Sequence, residues 1–474
     1  MTFNMNTSPA DFIKKLKSES VNYVAFCFTD INGKFNKITY HINGLSESLF
    51  EDGIIFDGSS LKGWKSIHKS DCLLIPDLSS AFLDPFTTQP CYSVICDAFD
   101  PETKSRYQRD PRTIAQLAEK YALDKKFGDE IFFGPEMEFF IFDDVRFQVE
   151  SNNVSFTVNS EEGGYNNSSN DKVNLGHRPD HKGGYLPAQP VDSLFDIRAE
   201  ICSSMDSIGM HPTLHHHEVA AGQCEIGFKY NTLTKSADNI QKFKYLAKNV
   251  VMSFGKTATF MPKPIYGDNG SGMHTHISIW EKGNNIFYHK DGYASLSDSA
   301  LYFIGGIIKH AKAINAFTNP TTNSYKRLVP GFEAPVNLAY SSCNRSASIR
   351  IPHSSGSSAK RIEIRFPDPP CNPYIGIEAM LMAGLDGIEN KIYPGEAIDK
   401  DLYNLDEDKN LSVSSVCGSL NEALNNLNTN RDFLKKGNVF TDDFIDTYIR
   451  LKSKDVIELD TTPHPVEFKL YYSC

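Results

Sequence analysis

Two glutamates lie two residues apart in an apolar run, Gly134-Pro135-Glu136-Met137-Glu138-Phe139-Phe140. If this run is a β-strand, Glu136 and Glu138 lie on the same face, because side chains alternate between the two faces of a strand. Two like charges on one face need a cation beside them or open solvent around them. The run therefore indicates either a metal site or the solvated face of a half-buried strand, and the neighbouring aromatic residues favour the metal site.

A second acidic segment combines histidines with carboxylates. His215-His216-His217 runs directly into Glu218, and Glu225 follows after a turn of small residues. The turn could bring both glutamates to one point, and carboxylates beside imidazoles are common ligands of Mg²⁺ or Mn²⁺. The alternative is that the histidines form a hydrogen-bonded structural cluster and that the glutamates lie at the surface.

A third segment, Asn269 to Ser278, opens with Asn-Gly-Ser-Gly and continues as an alternating run. His274, His276 and Ser278 would share one face of a strand, and the glycines would let a ligand approach the backbone closely. A lone histidine is more often a core residue. Two histidines at strand spacing favour a binding site.

Arginines recur in the second half of the chain, at positions 327, 345, 350, 361 and 365. Glu363 and Arg365 must lie on the same side of their predicted strand. Because guanidinium groups bind carboxylate and phosphate in a bidentate fork, several arginines near acidic metal ligands indicate a substrate that carries both anions. Any single arginine could instead form a structural salt bridge.

The two common nucleotide-binding loops are missing from the sequence. Residues 58–66 contain two glycines at the Walker spacing, but Trp64 stands where the lysine should be. Gly270-Ser271-Gly272 lacks the third glycine of a dinucleotide fingerprint. Acidic strands, His/Glu pairs and arginines together favour metal-assisted phosphoryl transfer instead.

The hydrophobic pattern predicts two domains that position these residues, a small strand-rich domain over residues 1–108 and a mixed helix and strand domain over 109–474. The first contains a helix at 9–17, strands at 23–28 and 37–41 around a turn, and a strand at 92–96. The second contains strands at 131–142, 211–218, 273–280 and 361–366, helices at 111–125, 192–208, 236–253 and 297–313, and mainly helices after 375. The polar stretch 150–178 is predicted to be a long surface excursion that carries little of the core.

Composition excludes several classes of protein. The net charge of −11 argues against nucleic acid as a partner, because phosphate backbones are held by clustered lysines and arginines. No stretch of 18 apolar residues occurs, and the first residues lack the pattern of a signal peptide, so we expect a cytoplasmic protein without membrane contact. Ten scattered cysteines without a Cys-X-X-Cys pair are typical of free, mostly buried thiols.

Taken in order and spacing, these segments resemble the bacterial type I glutamine synthetase family over essentially the whole chain. The motifs that carry the resemblance are Phe56-Asp57-Gly58-Ser59-Ser60, the Glu136/Glu138 strand, Asn269 to His276, Asn344 to Pro352 and His464-Pro465-Val466-Glu467. The resemblance implies an α+β fold, with a small β-grasp-like N-terminal domain and a larger C-terminal catalytic domain whose curved antiparallel sheet is flanked by helices. It implies ATP-dependent ligation of ammonia to L-glutamate through γ-glutamyl phosphate, giving glutamine, ADP and phosphate.

The resemblance also assigns roles to single residues, two metal ions (Mg²⁺ or Mn²⁺) to each active site and ATP as co-substrate. One metal would be held by Glu138, Glu218 and Glu225, and the other by Glu136, His274 and Glu363. Glutamate or its phosphorylated form would be held by Asn269, Gly270, Arg327, Arg345 and Arg365. The nucleotide would contact His276, Ser278, Arg345 and Arg350, and the catalytic residues would be Asp57, Glu333 and Arg345.

Asp57 would reach the site of a neighbouring subunit, attract ammonium and help to remove its proton, and Glu333 would lie on a mobile flap that shields the intermediate from water. The family forms active sites between subunits of a double six-membered ring, which implies a homododecamer. Tyr403, in Asp401-Leu402-Tyr403-Asn404-Leu405, matches the tyrosine that the adenylylated subgroup modifies, so a modifying enzyme is a further expected partner. The sequence departs from several members at Thr213 and near residues 357–358.

Two other interpretations stay open at this point. A γ-glutamyl ligase of the same superfamily would join glutamate to a polyamine or another amine. Against this, Asp57 and its loop are intact, and a larger amine would need that corner opened. A non-catalytic relative would keep the fold as a nitrogen sensor or structural assembly, but every expected metal ligand is present in the sequence.

Overall fold

We describe a computed structural model of the chain, which covers residues 7–166, 175–330, 334–342, 344–354, 356–399 and 413–473. Two of the predicted site residues, Glu333 and Tyr403, lie outside these described residues. None of the helices in the described ranges is both long enough and apolar enough to span a bilayer.

The N-terminal part of the chain forms a six-stranded sheet with two helices. The strands are β1 (Tyr23–Thr29), β2 (Phe35–His41), β3 (Ile54–Asp57), β4 (Asp71–Pro76), β5 (Phe82–Leu83) and β6 (Cys91–Phe99), and the helices are α1 (Pro9–Ser18) and α2 (Glu47–Asp52). The strand order is β2-β1-β6-β4-β3, with β5 paired to β6. Strands β1 and β6 are parallel and the other pairs are antiparallel.

Local sequence explains where the first helix begins and which side it buries. Ser8 caps α1 by accepting a hydrogen bond from the backbone N–H of Asp11, and Pro9 occupies the first helical turn, where its missing N–H costs nothing. Phe12 and Leu16 are four residues apart, so they lie on one face, and both are fully buried against the sheet.

The rest of the chain surrounds a ten-stranded sheet. Its strands are β7 (Glu130–Phe142), β10 (Pro212–His217), β11 (Gln223–Phe228), β12 (Asn231–Thr232), β13 (Thr257–Thr259), β14 (Met273–Glu281), β15 (Asn284–Asn285), β16 (Asn337–Ser341), β17 (Ala347–Arg350) and β18 (Ile362–Ile364). The main order is β10-β11-β7-β14-β18-β17-β16, and only the β16–β17 pair is parallel. A separate hairpin joins β8 (Asp144–Glu150) to β9 (Asn153–Asn159).

Helices cover this sheet and extend to the end of the described chain. They are α3 (Pro111–Asp124), α4 (Phe195–Ser207), α5 (Leu233–Ser253), α6 (Asp298–Thr318), α7 (Ser324–Arg327), α8 (Pro373–Glu389), α9 (Leu420–Thr429), α10 (Asp432–Lys435), α11 (Asp442–Thr461) and α12 (Pro465–Tyr471). Helices α6 and α8 pack closely because glycines face each other. A Cβ on Gly306 would lie 2.8 Å from the Cα of Gly387, so a larger residue would force the two helices apart.

Arg112 connects the two parts of the chain. Its buried guanidinium forms ion pairs with Asp77 (2.7 Å) and Asp97 (2.5 Å) from the N-terminal sheet region and with Asp238 (2.9 Å) of α5. The Tyr374 hydroxyl donates a further hydrogen bond to Asp238 (2.6 Å). Because each of the three carboxylates contacts the Arg112 guanidinium, none of these charges is left without a partner.

The prediction that residues 150–178 form a surface excursion with little of the core fits strand β9, where Phe156 is 60% exposed. Glu162, by contrast, is fully buried. Residues 167–174 of this stretch lie outside the described residues. A pattern of polar residues predicts exposure from composition, whereas Glu162 is buried because the folded chain supplies hydrogen-bond donors around it.

Candidate active site

Strand register brings the predicted acidic residues together. Strand β7 lies between β11 and β14, and Glu136 pairs in register with His274 while Glu138 pairs with Glu225. Strand β14 also pairs with β18, where Glu363 lies opposite His276. Because adjacent strands are only about 5 Å apart, side chains on one face of neighbouring strands meet.

Three of the predicted ligands form what we call the ladder cluster, namely Glu136, His274 and Glu363. Each offers one ligand atom, and these atoms lie within 4.8 Å of one another. The Nδ1 of His274 is 3.3 Å from Glu136 Oε2 and 3.6 Å from Glu363 Oε1. The structure thus places together the three residues that the sequence resemblance groups as ligands of one metal.

A second set, which we call the turn cluster, consists of His216, Glu218 and Glu225. Its ligand atoms also lie within 4.8 Å of one another, and both glutamates are 3.5 Å from a ring nitrogen of His216. His216 was not among the predicted ligands. The strand pattern could have indicated it, because His216 and Glu218 are two residues apart at the end of β10.

Glu138 lies between the two clusters. Its Oε2 accepts hydrogen bonds from Gly272 N (2.9 Å) and Gln223 Nε2 (3.1 Å), and its Oε1 is 3.8 Å from His274 Nε2. Among the described residues, Glu138 belongs to neither group of ligand atoms that lie within 4.8 Å of one another, so its predicted grouping with Glu218 and Glu225 stays a prediction.

The electrostatic environments of the two glutamates on β7 differ. Burial, together with the charges of Glu218 and Glu225, raises the pKa of Glu138 well above its usual value. Burial also opposes ionisation of Glu136, but hydrogen bonds and charge from His274 and His276 outweigh it and lower its pKa. Around Glu138 the carboxylates are thus in excess, and a divalent cation would balance them.

A cavity of about 590 Å³ contains both clusters and Glu138 in its wall. The same wall contains the predicted substrate residues Asn269, Gly270, Arg327, Arg345 and Arg365, together with Arg350. Carboxylates and guanidinium groups thus share the wall of one cavity. This arrangement suits a substrate that carries anionic groups and reacts beside cations bound by the carboxylates.

The arginines in the wall are held in different ways. Three backbone carbonyls, of residues 365, 366 and 367, accept hydrogen bonds from the Arg327 guanidinium at 3.0–3.3 Å. Arg350 and Arg365 form ion pairs with Glu363 at 2.5 and 3.2 Å. Arg365 also has a buried Nη1 without a hydrogen-bond partner among the described residues. A buried guanidinium nitrogen of this kind suits an anionic ligand.

Gly272 is required by the close approach of the ladder cluster to Arg327. A Cβ at this position would lie 2.5 Å from Arg327 Nη2 and 3.0 Å from His274 Nε2. A Cβ on Gly270 would lie 2.3 Å from the carbonyl oxygen of Pro262. The glycines of this segment therefore allow side chains and backbone to meet at the cavity wall.

Other predicted site residues do not line this cavity. The Nε2 of His276 is 2.7 Å from Glu136 Oε1, and its Nδ1 accepts a hydrogen bond from Arg361. The Ser278 hydroxyl accepts a hydrogen bond from the indole of Trp280 at 3.0 Å. Both share the strand face of His274, as predicted, but they point to places farther along β14.

Asp57 lies at the end of β3 and is exposed. Its carboxylate accepts hydrogen bonds from Ser59 N (2.9 Å), Ser59 Oγ (2.6 Å) and Ser60 Oγ (2.6 Å), and these bonds lower its pKa. It stays ionised and does not reach the cavity of its own chain.

The three consecutive histidines have separate surroundings. His215 accepts a hydrogen bond from Arg198 Nε (3.3 Å), His216 belongs to the turn cluster, and His217 is buried against Glu162. The interpretation as a hydrogen-bonded structural cluster fits His215 and His217, and the interpretation as a metal site stays a prediction. Sequence reasoning missed the pairing of His217 with Glu162, since 55 residues separate them and no local pattern connects them.

The sequence model "Glutamine synthetase, catalytic domain" matches residues 108–471, and "Glutamine synthetase, beta-Grasp domain" matches residues 20–101. The chain belongs to the glutamine synthetase family. The predicted family and the predicted fold class, a β-grasp domain followed by a larger catalytic domain, are confirmed.

Individual members of the family match nearly the full length. The chain is 54% identical to glutamine synthetase of Azospirillum brasilense over 459 residues, which cover 97% of this chain and 98% of the relative. It is 54% identical to that of Salmonella typhimurium over 460 residues, with the same coverage of both chains. The cryo-EM structure of Plasmodium falciparum glutamine synthetase superposes with a TM-score of 0.91 at 30% identity and covers 100% of both chains.

Proposed function

We propose that this glutamine synthetase carries out its reaction in the cavity whose wall contains the two clusters and the arginines. The chain catalyses the ATP-dependent ligation of ammonia to L-glutamate through γ-glutamyl phosphate, giving glutamine, ADP and phosphate. The observation that carries the assignment of the site is that two acidic clusters and four arginines share one cavity wall.

Each cluster would hold one divalent cation, Mg²⁺ or Mn²⁺. The ladder cluster would bind one, and Glu138, Glu218 and Glu225 would bind the other, with His216 close enough to join them. Carboxylate and imidazole donors suit either ion, and the surplus of negative charge around Glu138 supports a bound cation. When bound, the cations would offset charge on the nucleotide phosphates and on the phosphoryl group that is transferred.

Glutamate would bind to the arginines in the cavity wall. The unpartnered Nη1 of Arg365 supports an anionic ligand there, and Arg345, Asn269 and Gly270 complete the wall. Arg327 is held by backbone carbonyls, so its guanidinium would meet the substrate in a fixed orientation. Such preorganisation lowers the entropy lost when the substrate is ordered for reaction.

We assign the nucleotide to Arg345, Arg350, His276 and Ser278. Arg350 lies in the cavity wall beside Glu363, which places a guanidinium next to a proposed metal ligand. His276 and Ser278 continue the same strand face beyond His274. His276 would also orient Glu136 through their 2.7 Å contact.

Asp57 would serve the active site of a neighbouring subunit in a dodecamer of two hexameric rings. Its exposure and its distance from the cavity of its own chain support a role in another subunit. As a carboxylate it would attract ammonium and accept a proton from it, which makes the nitrogen nucleophilic. Glu333, outside the described residues, would shield the phosphorylated intermediate from water.

We further propose a cytoplasmic location, where ATP and glutamate are supplied, and adenylylation of Tyr403 by a partner enzyme. The proposal for Tyr403 depends on its sequence context, since this residue lies outside the described residues. We also propose a boundary between domains 1–108 and 109–474, which the matched family segments at 20–101 and 108–471 support.

Phosphate release from ATP by the purified protein tests the activity directly. The reaction contains Mg²⁺ and glutamate, with ammonium, putrescine or no amine in parallel, and the product is identified by mass. We expect glutamine with ammonium and no adduct with putrescine. A putrescine adduct would instead indicate a sister γ-glutamyl ligase, and no turnover with either Mg²⁺ or Mn²⁺ would favour the sensor or a modified Tyr403.

A further inference from the structure

Glu162 has no place in the proposed chemistry, yet it is completely buried. Its Oε2 lies 2.8 Å from His217 Nε2 and accepts a hydrogen bond from Gly222 N at 2.9 Å. Its Oε1 accepts hydrogen bonds from Ser193 N (3.0 Å) and Ser193 Oγ (2.8 Å). Burying a carboxylate without partners costs free energy. The four donors that converge on Glu162 therefore indicate that the fold specifically accommodates a carboxylate at this position.

The partner of Glu162 on β10 is fixed at both ring nitrogens. The Nδ1 of His217 lies 2.7 Å from the carbonyl oxygen of Gly184 and 2.6 Å from that of Glu218. Carbonyl oxygens only accept hydrogen bonds, so Nδ1 carries a hydrogen, and Nε2 faces the Glu162 carboxylate. The ring therefore connects Glu162 to the backbone of Glu218, which is a member of the turn cluster.

Glu162 also holds the other side of the same turn. The chain reverses between Glu218 and Gln223, where Glu218 N donates to Gln223 O at 2.8 Å. Gly222, whose N–H donates to Glu162, has φ +75°, and a Cβ there would lie 2.6 Å from the carbonyl oxygen of Ile141. The turn is therefore held on the His217 side and on the Gly222 side by one carboxylate.

The segment around Gly184 is part of the same arrangement. Gly184 N donates to Val219 O at 3.0 Å, and the ring of Tyr185 meets the ring of His216 edge to face at 5.6 Å. Tyr185 lies in the wall of the cavity. Glu162 is thus connected, through His217 and Gly184, to Tyr185, whose ring packs against His216 of the turn cluster.

We propose that Glu162 is a positioning residue for the turn cluster, which it orders through His217 and Gly222 so that Glu218 and Glu225 can share one cation. This inference rests on the proposed function only in that the cluster binds a divalent metal. Partners behind metal ligands commonly affect metal affinity by about 10- to 100-fold. A residue with a merely structural role would lower stability and leave the metal affinities unchanged.

Mn²⁺ binding to the full-length protein without substrates tests this. Free Mn²⁺ is followed by its electron paramagnetic resonance signal during a titration. In the Glu162→Gln protein an amide NH₂ must face donors that now meet a carboxylate, so the turn cluster should bind Mn²⁺ about 10- to 100-fold more weakly. The affinity of the ladder cluster should not change. Glu225→Gln, which removes a ligand, identifies the titration step that belongs to the turn cluster.

Glu161→Gln is the matched control. Glu161 is the adjacent residue, its side chain is 49% exposed, and it pairs with Lys256 at 2.9 Å. Its Oε1 also accepts a hydrogen bond from Ser193 Oγ at 3.1 Å, which the amide oxygen of a glutamine can still accept. Its variant should bind Mn²⁺ at both sites like the unmodified protein. In steady-state assays Glu162→Gln should need more Mn²⁺ for half-maximal rate, while kcat at saturating Mn²⁺ stays within a few-fold of the original.

Ser193→Ala tests the positioning role of Glu162 if the Glu162→Gln protein does not fold. It removes one hydrogen bond to Glu162 and should weaken only the turn-cluster step, by a few-fold. A lower melting midpoint with both Mn²⁺ affinities unchanged, or an equal loss at both sites, would overturn the inference. If the unmodified protein binds two Mn²⁺ but makes no glutamine, the proposed function fails and the Mn²⁺ comparison still stands. If it makes glutamine while Glu162→Gln binds normally, the positioning inference alone fails.

Discussion

The ladder cluster and the turn cluster contain similar side chains but differ in what holds them. The ladder cluster lies on three hydrogen-bonded strands in the middle of the sheet, and Arg350 and Arg365 pair with its Glu363. The turn cluster lies at the edge strand β10, the turn after it and β11, and the charges of its Glu218 and Glu225 act on the nearby Glu138 of β7. The first cluster thus pairs with the protein's own guanidinium groups, whereas we propose that the second needs a cation from solution and the ordering contacts of Glu162.

Removing one ligand from either cluster should abolish ligation. Glu363→Gln and Glu225→Gln each take away a carboxylate, and a cation's contribution to the transition state is several kcal/mol, so we expect activity to fall about a thousandfold or more. The measurement is glutamine formation at saturating ammonium, with Glu161→Gln as the control. Near-normal activity in either variant would remove that residue from the metal site.

A variant that leaves both clusters unchanged should lose only the step that uses ammonium. Asp57→Ala should leave phosphorylation of glutamate intact but reduce glutamine formation about a hundredfold, because ammonium loses its anionic partner and proton acceptor. Phosphate release without ammonium and glutamine formation with it are measured on the same preparation. Equal loss of both partial reactions would contradict the role of Asp57.

Stability without metal should respond with opposite signs in the two clusters. Glu363→Gln leaves Arg350 and Arg365 without their anion and should destabilise the protein by roughly 2–4 kcal/mol. Glu225→Gln removes the repulsion between Glu225 and Glu138 and should stabilise the protein by about 1 kcal/mol. Melting midpoints in EDTA measure both. Two changes of the same sign would show that the clusters are not balanced differently.

Each cluster also has a glycine whose replacement should affect that cluster most, although the N–H of Gly272 also donates to Glu138. Gly272→Ala would crowd Arg327 and His274, and Gly222→Ala would push the turn against Ile141 O. Overpacking of this kind costs about 1–3 kcal/mol, so we expect roughly tenfold weaker Mn²⁺ binding at the ladder cluster for Gly272→Ala and at the turn cluster for Gly222→Ala. The titration used for Glu162 resolves the two steps, and a change in the other cluster would argue that they are coupled.

Much of the fold was predictable because its elements follow local patterns. Strand β7 was predicted to within one residue of its observed start, and helix α3 begins at the predicted Pro111, where Asp110 caps it. Strand β2 begins two residues earlier than predicted, since Phe35 and Asn36 pair with Thr29 and Phe28 across the turn. Pairing across a turn depends on contacts between the two strands, which the pattern of residue types along one strand does not reveal.

The sequence by itself determined which candidate site residues share a strand face, because strand alternation places Glu136 beside Glu138 and His274 beside His276 on one face each. It also determined the family, through motifs spread over the chain. Only the tertiary structure decided that His216 joins the turn cluster, that Arg350 pairs with Glu363, and that Glu162 is buried beneath His217. The physical reason is distance along the chain. Local periodicity acts over a few residues, whereas these contacts form only when strands and loops that are far apart in sequence pack together.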